Sequence, residues 1–176
     1  YRYDFVDKLN NYLLDIFNKI TSYGNLKIKY ESFISKEELL EENVVNNITE
    51  KFNKVLNSEL LQKTTLIGCH KDDFKILLND LNINEFGSQG QQRLSILCMK
   101  LSEIEVFINE YKIKPIVLLD DIFSELDEIK KTNIIKYLKK DVQMFITTTE
   151  INNIDEKIKN TAQIFKVNSG VVTKEE

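Results

Sequence analysis

Ile116-Val117-Leu118-Leu119-Asp120-Asp121 is a run of four aliphatic residues that ends abruptly in two carboxylates. A parallel strand buried on both faces reads as such a run, and in open α/β sheets ligands sit outside the carboxyl ends of the strands. Two acids at that end point to magnesium. Asp120 is placed to hold the ion, through water because magnesium dehydrates reluctantly, and Asp121 to accept a proton from an attacking water. Taken alone, an ordinary strand running into an acidic turn reads equally well, since one strand pattern hosts many functions.

The flanking residues bear on that choice. Directly after the acids come Ser124, Glu125, Leu126 and Asp127. Upstream lies Phe86-Gly87-Ser88-Gln89-Gly90-Gln91-Gln92-Arg93, followed by Leu94, Leu97, Cys98, Leu101, Ile104, Ile108 and Tyr111 on one helical stripe. Glycines let a backbone approach a ligand closely, and the amides and dipole at the start of the following helix favour an anion such as phosphate. By itself this loop also reads as a capped core helix after a flexible turn.

Further out, Val6, Leu9, Leu13, Ile16, Phe17 and Ile20 recur at helical spacing, with Gly24 where a C-terminal stop is expected. Leu26, Ile28 and Tyr30 alternate like a strand. Ser35 and Glu38 form a capping box ahead of an apolar pattern through Leu39, Val45, Ile48, Phe52, Val55 and Leu60. If helical from there to Gln62, this element reaches roughly 40 Å, which makes an arm. From Thr64 on, short apolar runs alternate with helices. Strands are expected at Thr64 to Ile67, Phe74 to Leu78, Ile116 to Leu119, Gln143 to Thr147, Ile164 to Val167 and Val171 to Thr173, and helices at Gln91 to Tyr111 and Ile129 to Leu138. That order implies an α/β fold with a largely parallel sheet. Pro115 precedes the central strand, where a missing amide does least damage.

The 176 residues are 42% hydrophobic and 30% charged, with a net charge of -4. The chain can bury a core, and it has no basic field to draw it onto a polyanion. Lys130, Lys131, Lys136, Lys139 and Lys140 cluster around one helix; a solvated face is the expected reading, with DNA contact the alternative. Cys69 and Cys98 sit beside apolar residues, which implies buried thiols in a reducing compartment such as the cytoplasm. No apolar run approaches the roughly 20 residues of a membrane span. The first residue is Tyr1 and the opening stretch is already amphipathic, so the chain is expected to be a piece of a longer one.

The aliphatic run with Asp120, Asp121, a spacer and Leu126-Asp127 resembles the Walker B motif and D-loop of ABC-type ATPases. Ser88 to Arg93, a short helix ahead, resembles their signature motif. The wording Ser-Gln-Gly-Gln-Gln-Arg, Leu-Leu-Asp-Asp-Ile-Phe-Ser-Glu-Leu-Asp and Met144-Phe145-Ile146-Thr147-Thr148-Thr149 is similar to the bacterial RecF family, as is Gly68-Cys69-His70-Lys71-Asp72-Asp73, where cysteine and lysine replace the family's proline and arginine. SMC proteins and transporters usually carry glutamate and histidine where this chain has Asp121 and Thr149. An SMC-like or transporter ATPase subunit is thus the less favoured relative, and a non-catalytic interaction module of the same fold is a third reading.

The resemblance implies part of an ABC-type ATPase head, a P-loop NTPase-like sheet with flanking helices, plus a helical arm. The arm and its linking strand occupy residues 1–63 and the C-terminal head lobe residues 64–176. It implies ATP and Mg2+ as cofactors, with Ser88, Gln89, Gly90, Gln91 and Asp127 toward nucleotide, Asp120 toward the metal and Asp121 as general base. Thr149 takes the place of a switch histidine. It further implies a homodimer closing on ATP, DNA (duplex, gaps and single-strand junctions) as substrate, RecO and RecR as partners, a role in repair, replication and the SOS response, and a cytoplasmic location. His70 is expected to be structural, with Lys71 and the aspartates pairing at a turn. These residues contain no Gly-Lys-Ser or Gly-Lys-Thr loop, so the chain is expected to contribute to a slow, DNA-dependent ATPase without being one alone.

Overall fold

The buried stripe foreseen for the first helix is present: Leu9, Leu13, Ile16 and Phe17 are each at most 4% exposed. In the computed structural model the elements are α1 (Arg2–Ile20), β1 (Leu26–Glu31), a 3-10 turn (Glu38–Leu40), α2 (Val44–Gln62), β2 (Asp73–Leu78), β3 (Leu81–Asn82), α3 (Ile83–Phe86), α4 (Gln89–Asn109), β4 (Val117–Asp120), α5 (Glu128–Leu138), β5 (Met144–Thr147), α6 (Glu156–Lys159), β6 (Phe165–Asn168) and β7 (Val171–Lys174). The structure describes residues 1–121, 126–138, 142–149, 151, 154 and 156–175. Ser124, Glu125, Lys139 and Lys140, and the side chain of Lys136, lie outside the described residues. The chain groups into two compact units, one of Tyr1–Asn18 with Tyr23–Val106 and one of Lys19–Ser22 with Phe107–Glu176.

In the first unit β1, β2 and β3 form an antiparallel sheet in that order. Beside α1, the core is supplied by Leu26 and Ile28 of β1, Ile76 of β2, Ile83 of α3 and Leu94, Leu97, Cys98, Leu101 and Val106 of α4. Each fully buried large aliphatic contributes about 1.5–3 kcal/mol. The outer edge of β1 would leave backbone groups unpaired, and Asn10 closes it. Its amide donates to the Ile28 carbonyl at 2.8 Å and its carbonyl accepts from the Ile28 N–H at 2.8 Å.

Three expectations change here. Helix α1 ends at Ile20, so Gly24 is not its cap. Gly24 has φ +121° and a Cβ there would lie 2.2 Å from the Asn79 side-chain oxygen, so the glycine makes room for Asn79, which bonds Asn25 N–H and the Tyr23 carbonyl. The capping box forms, with Glu38 N–H donating to Ser35 Oγ and Ser35 N–H to Glu38 Oε2. It opens only a 3-10 turn, and α2 starts at Val44 with 19 residues, about 28 Å at the usual rise. Thr64 to Ile67 is no strand: the chain leaves α2 through left-handed Lys63, and Glu59 takes the Thr64 amide on its carbonyl and the Leu66 amide on its carboxylate. Those amides have no sheet to join.

The sheet content is less parallel than expected. Among the described residues one pair, β4 with β5, is parallel, while β1–β2–β3 and β6–β7 are antiparallel. For the two hairpins, β2–β3 and β6–β7, the reason is local. Asn79 and Asp80 (φ 50° and 67°) join β2 to β3, and Ser169 and Gly170 (φ 49° and 81°) join β6 to β7; two-residue loops with positive φ at both positions close antiparallel hairpins. The second unit buries Val117 and Leu119 of β4 and Ile134 of α5, while Leu118 stays 73% exposed. The aliphatic run is therefore covered on one face of the strand, not on both.

Candidate nucleotide site

Helix α4 begins at a loop that side chains hold in place. Asn82 caps α3 by accepting from Asn84 N–H. Gln92 Nε2 donates to the carbonyls of Ile83 and Gly87 at 3.1 Å each, and a Cβ on Gly87 would meet Ile83 Cγ1 at 2.5 Å. Gln92 is thus a structural brace. Ser88 and Gln91 form a reciprocal capping box, Gln91 N–H to Ser88 Oγ at 3.3 Å and Ser88 N–H to Gln91 Oε1 at 2.9 Å. Ser88, Gln89 and Gly90 are exposed at this tip and Gln91 half-buried. First-turn helix amides have no intrahelical partner, so the tip can receive an anion.

Gly90 differs from the other glycine of this loop. A Cβ added there meets nothing within 4 Å, and its φ is not in the left-handed region. The chain's own fold does not require glycine at this position.

Asp120 closes β4 and Thr147 closes β5, and the two are directly paired in the parallel register. The Thr147 hydroxyl donates to Asp120 Oδ1 at 2.5 Å and accepts from the Asp121 N–H at 3.0 Å. Asp121 has φ 46°, which turns the chain out of the strand immediately after the first acid. Both aspartates are exposed. No cluster of three or more acidic, histidine or cysteine side chains that could hold a metal occurs among the described residues. Two carboxylates at a strand end suit an ion that keeps most of its waters and takes further ligands from phosphate, as magnesium does, rather than a protein cage of the calcium or zinc kind. The donor set fits Mg2+.

Thr149 lies two residues past the end of β5 and is exposed. The threonine brought to both aspartates is Thr147, to which the sequence assigns no role beyond that of a strand former; its signal was its position at the strand end opposite Asp120. Asp127 caps α5: Oδ1 accepts from Lys130 N–H at 2.9 Å and Oδ2 from Lys130 Nζ at 2.6 Å. The Lys130 side chain, then its backbone amide, holds the Asp127 carboxyl below the usual range. Of the basic cluster, Lys130 is therefore engaged with Asp127 and Lys131 is buried at 5% exposure, so these two do not form the solvated face that was expected.

The segment Gly68 to Asp73 is pinned from two sides. Arg2 Nη1 donates to the Cys69 carbonyl and to Asp72 Oδ2, and the Tyr30 hydroxyl donates to the same Asp72 oxygen. Burial pushes the Asp72 carboxyl up, but hydrogen bonds from Tyr30 and Ser32, then the charge and hydrogen bond of Arg2, outweigh it and leave it below the usual range. Asp72 thus pairs with Arg2 rather than Lys71. His70 is exposed, and its Nε2 bonds the Thr65 hydroxyl at 2.7 Å. Cys98 is buried and Cys69 exposed, so only one thiol fits the expected burial. Among the described residues no helix is long and apolar enough to cross a membrane.

No family model matches the chain. The chain is 35% identical over 178 residues to the DNA replication and repair protein RecF of Ligilactobacillus salivarius, and 38% identical over 173 residues to that of Geobacillus thermodenitrificans. These alignments cover 99% and 97% of this chain but 46% of each relative. Among solved structures it is similar to a recombination mediator protein RecF with ATP, in the RecFOR pathway, at TM-score 0.80 and 35% identity over 99% of this chain and 45% of that one. An SMC head bound to the C-winged helix domain of ScpA matches at TM-score 0.53 and 17% identity over 98% of this chain and 43% of that one, a likeness of fold alone. Across the length it spans, about half that of the relatives it matches, this chain belongs to the RecF family.

Proposed function

We propose that this chain supplies the signature-motif and Walker B portion of a RecF-like, ATP-dependent DNA-binding protein acting in recombinational repair. The observation that carries the reading is the parallel pairing of β4 with β5, which sets Asp120 and Thr147 side by side at the carboxyl ends of the strands with Asp121 bonded to the same hydroxyl. The likeness to RecF with ATP over 99% of the chain supports nucleotide as the ligand.

In this reading Asp120 binds Mg2+ through water, and Asp121 holds the proton taken from the attacking water. The ion supplies charge neutralisation on the phosphates. Ser88, Gln89, Gly90 and Gln91 face nucleotide held by a second copy, which makes the active form a homodimer closed on ATP; Asp127 serves nucleotide binding, and Thr149 serves catalysis in the place of a switch histidine. Residues 1–63 act as the arm and 64–176 as part of the head. Duplex DNA, its gaps and its single-strand junctions are the substrate, RecO and RecR the partners, and the cytoplasm the compartment.

The test is ATP turnover by the full-length protein with and without duplex DNA, repeated with Asp121→Asn. The substitution should lower turnover by about 10²–10⁴-fold, the usual contribution of a general base. Absent turnover in the parent, or turnover that survives unchanged in Asp121→Asn, sinks the reading.

A further inference from the structure

The sequence assigns Thr147 no role beyond that of a strand former, yet among the described residues its hydroxyl is bonded to the Asp120 carboxylate and to the Asp121 amide. A threonine hydroxyl has one hydrogen to give and two lone pairs to receive. Here the hydrogen goes to Asp120 Oδ1 and one lone pair takes the Asp121 amide. We infer that Thr147 is a positioning residue, which orients the Asp120 carboxylate for a divalent cation and holds Asp121 in its left-handed turn.

The bonds act on each acid in a different way. With its only hydrogen committed to Asp120, Thr147 fixes which carboxylate oxygen is occupied within the protein and leaves Oδ2 of Asp120 for the hydrated ion. The amide bond opposes the cost of φ 46° at Asp121, since the left-handed region is less favoured for a residue that carries a Cβ. Without that anchor the residue after the strand is free to leave the left-handed turn. Side chains alternate along a strand, so Asp120 and Leu118 share one face, and Thr147 and Phe145 share the corresponding face of β5. Leu118 and Phe145 are 73% and 53% exposed. The Thr147 hydroxyl therefore contributes little to the core, and removing it leaves packing intact.

This inference rests on the nucleotide-site reading above, and the experiment separates the two. Full-length protein with a non-hydrolysable ATP analogue is titrated with Mn2+ by electron paramagnetic resonance, and exchange at the Asp121 amide is followed by hydrogen–deuterium exchange without nucleotide. Thr147→Val keeps the β-branched shape and removes the hydroxyl; it should raise the half-saturating Mn2+ concentration by roughly 10- to 100-fold, the usual effect of losing an outer-shell partner, and speed exchange at Asp121. Thr147→Ser restores the hydroxyl and should return both readouts to the parent values. Mn2+ binding and exchange unchanged in Thr147→Val, while Asp120→Asn abolishes binding, overturn the positioning role and leave the nucleotide site standing. Binding unchanged in Asp120→Asn as well overturns both.

Discussion

Ser88 and Gln91 cap one another: each donates its backbone amide to the other's side chain at the exposed start of α4. The arrangement uses a lone pair of Ser88 Oγ and leaves its hydrogen to donate outward, so one residue can both end a helix and meet a phosphate. Ser88→Ala removes both functions. Unfolding of the protein by urea should show a loss of about 1 kcal/mol, the usual value of an N-cap, together with loss of ATP-dependent dimerisation.

Gly90→Ala separates fold from function. With open space around its Cβ position, alanine should leave thermal stability unchanged or raise it by up to about 1 kcal/mol, the helix-propensity difference between the two residues. If the glycine admits a phosphate from a second copy, sedimentation with ATP should nevertheless show the variant remaining monomeric. A variant less stable than the parent would show instead that the fold itself requires the glycine.

Acid unfolding should depend on Asp72. Its folded carboxyl lies below the ordinary value of 3.8. A carboxyl depressed on folding contributes stability that is complete above the unfolded value and is lost as pH falls through the folded one. Plotted against pH, the unfolding free energy of the parent should fall steeply below about pH 4, and that of Asp72→Asn should start lower and fall less. Parallel curves would remove Asp72 from the acid response.

The two thiols should react differently. Cys98 is buried, and burial pushes its thiol up to about 12; thiolate is the reactive form, so this group is inert at neutral pH. Cys69 is exposed. Native protein treated with a thiol reagent should be labelled at Cys69, with Cys98 joining only on unfolding, as mass spectrometry of peptides would read.

Phe17 is fully buried in the first unit. Phe17→Ala should cost about 3–5 kcal/mol, enough to unfold a marginal domain at physiological temperature, and a loss below about 1 kcal/mol by calorimetry would show that the core relaxes around the cavity.

Neighbouring residues alone determine the stripe of α1, the start of α4, the β6–β7 hairpin and the run ending in Asp120 and Asp121. Each depends on a helical or strand period, or on a turn, within a few positions, and each could be read from the sequence. The Ser35–Glu38 box was also legible, but the short 3-10 turn it opens and the later start of α2 were not. The candidate site was half legible for the same reason: the acids and the Ser88 loop announce themselves, whereas Thr147, Thr148 and Thr149 are alike as strand formers. Tertiary structure decided the rest. Thr147 reaches Asp120 across 27 positions, Asn79 reaches Tyr23 across 56 and Arg2 reaches Asp72 across 70. A polar side chain takes the partner that folding brings to it, and no local period encodes which partner that is. The pairing of Thr147 with Asp120 exists only once β4 and β5 lie parallel in the register the structure gives them.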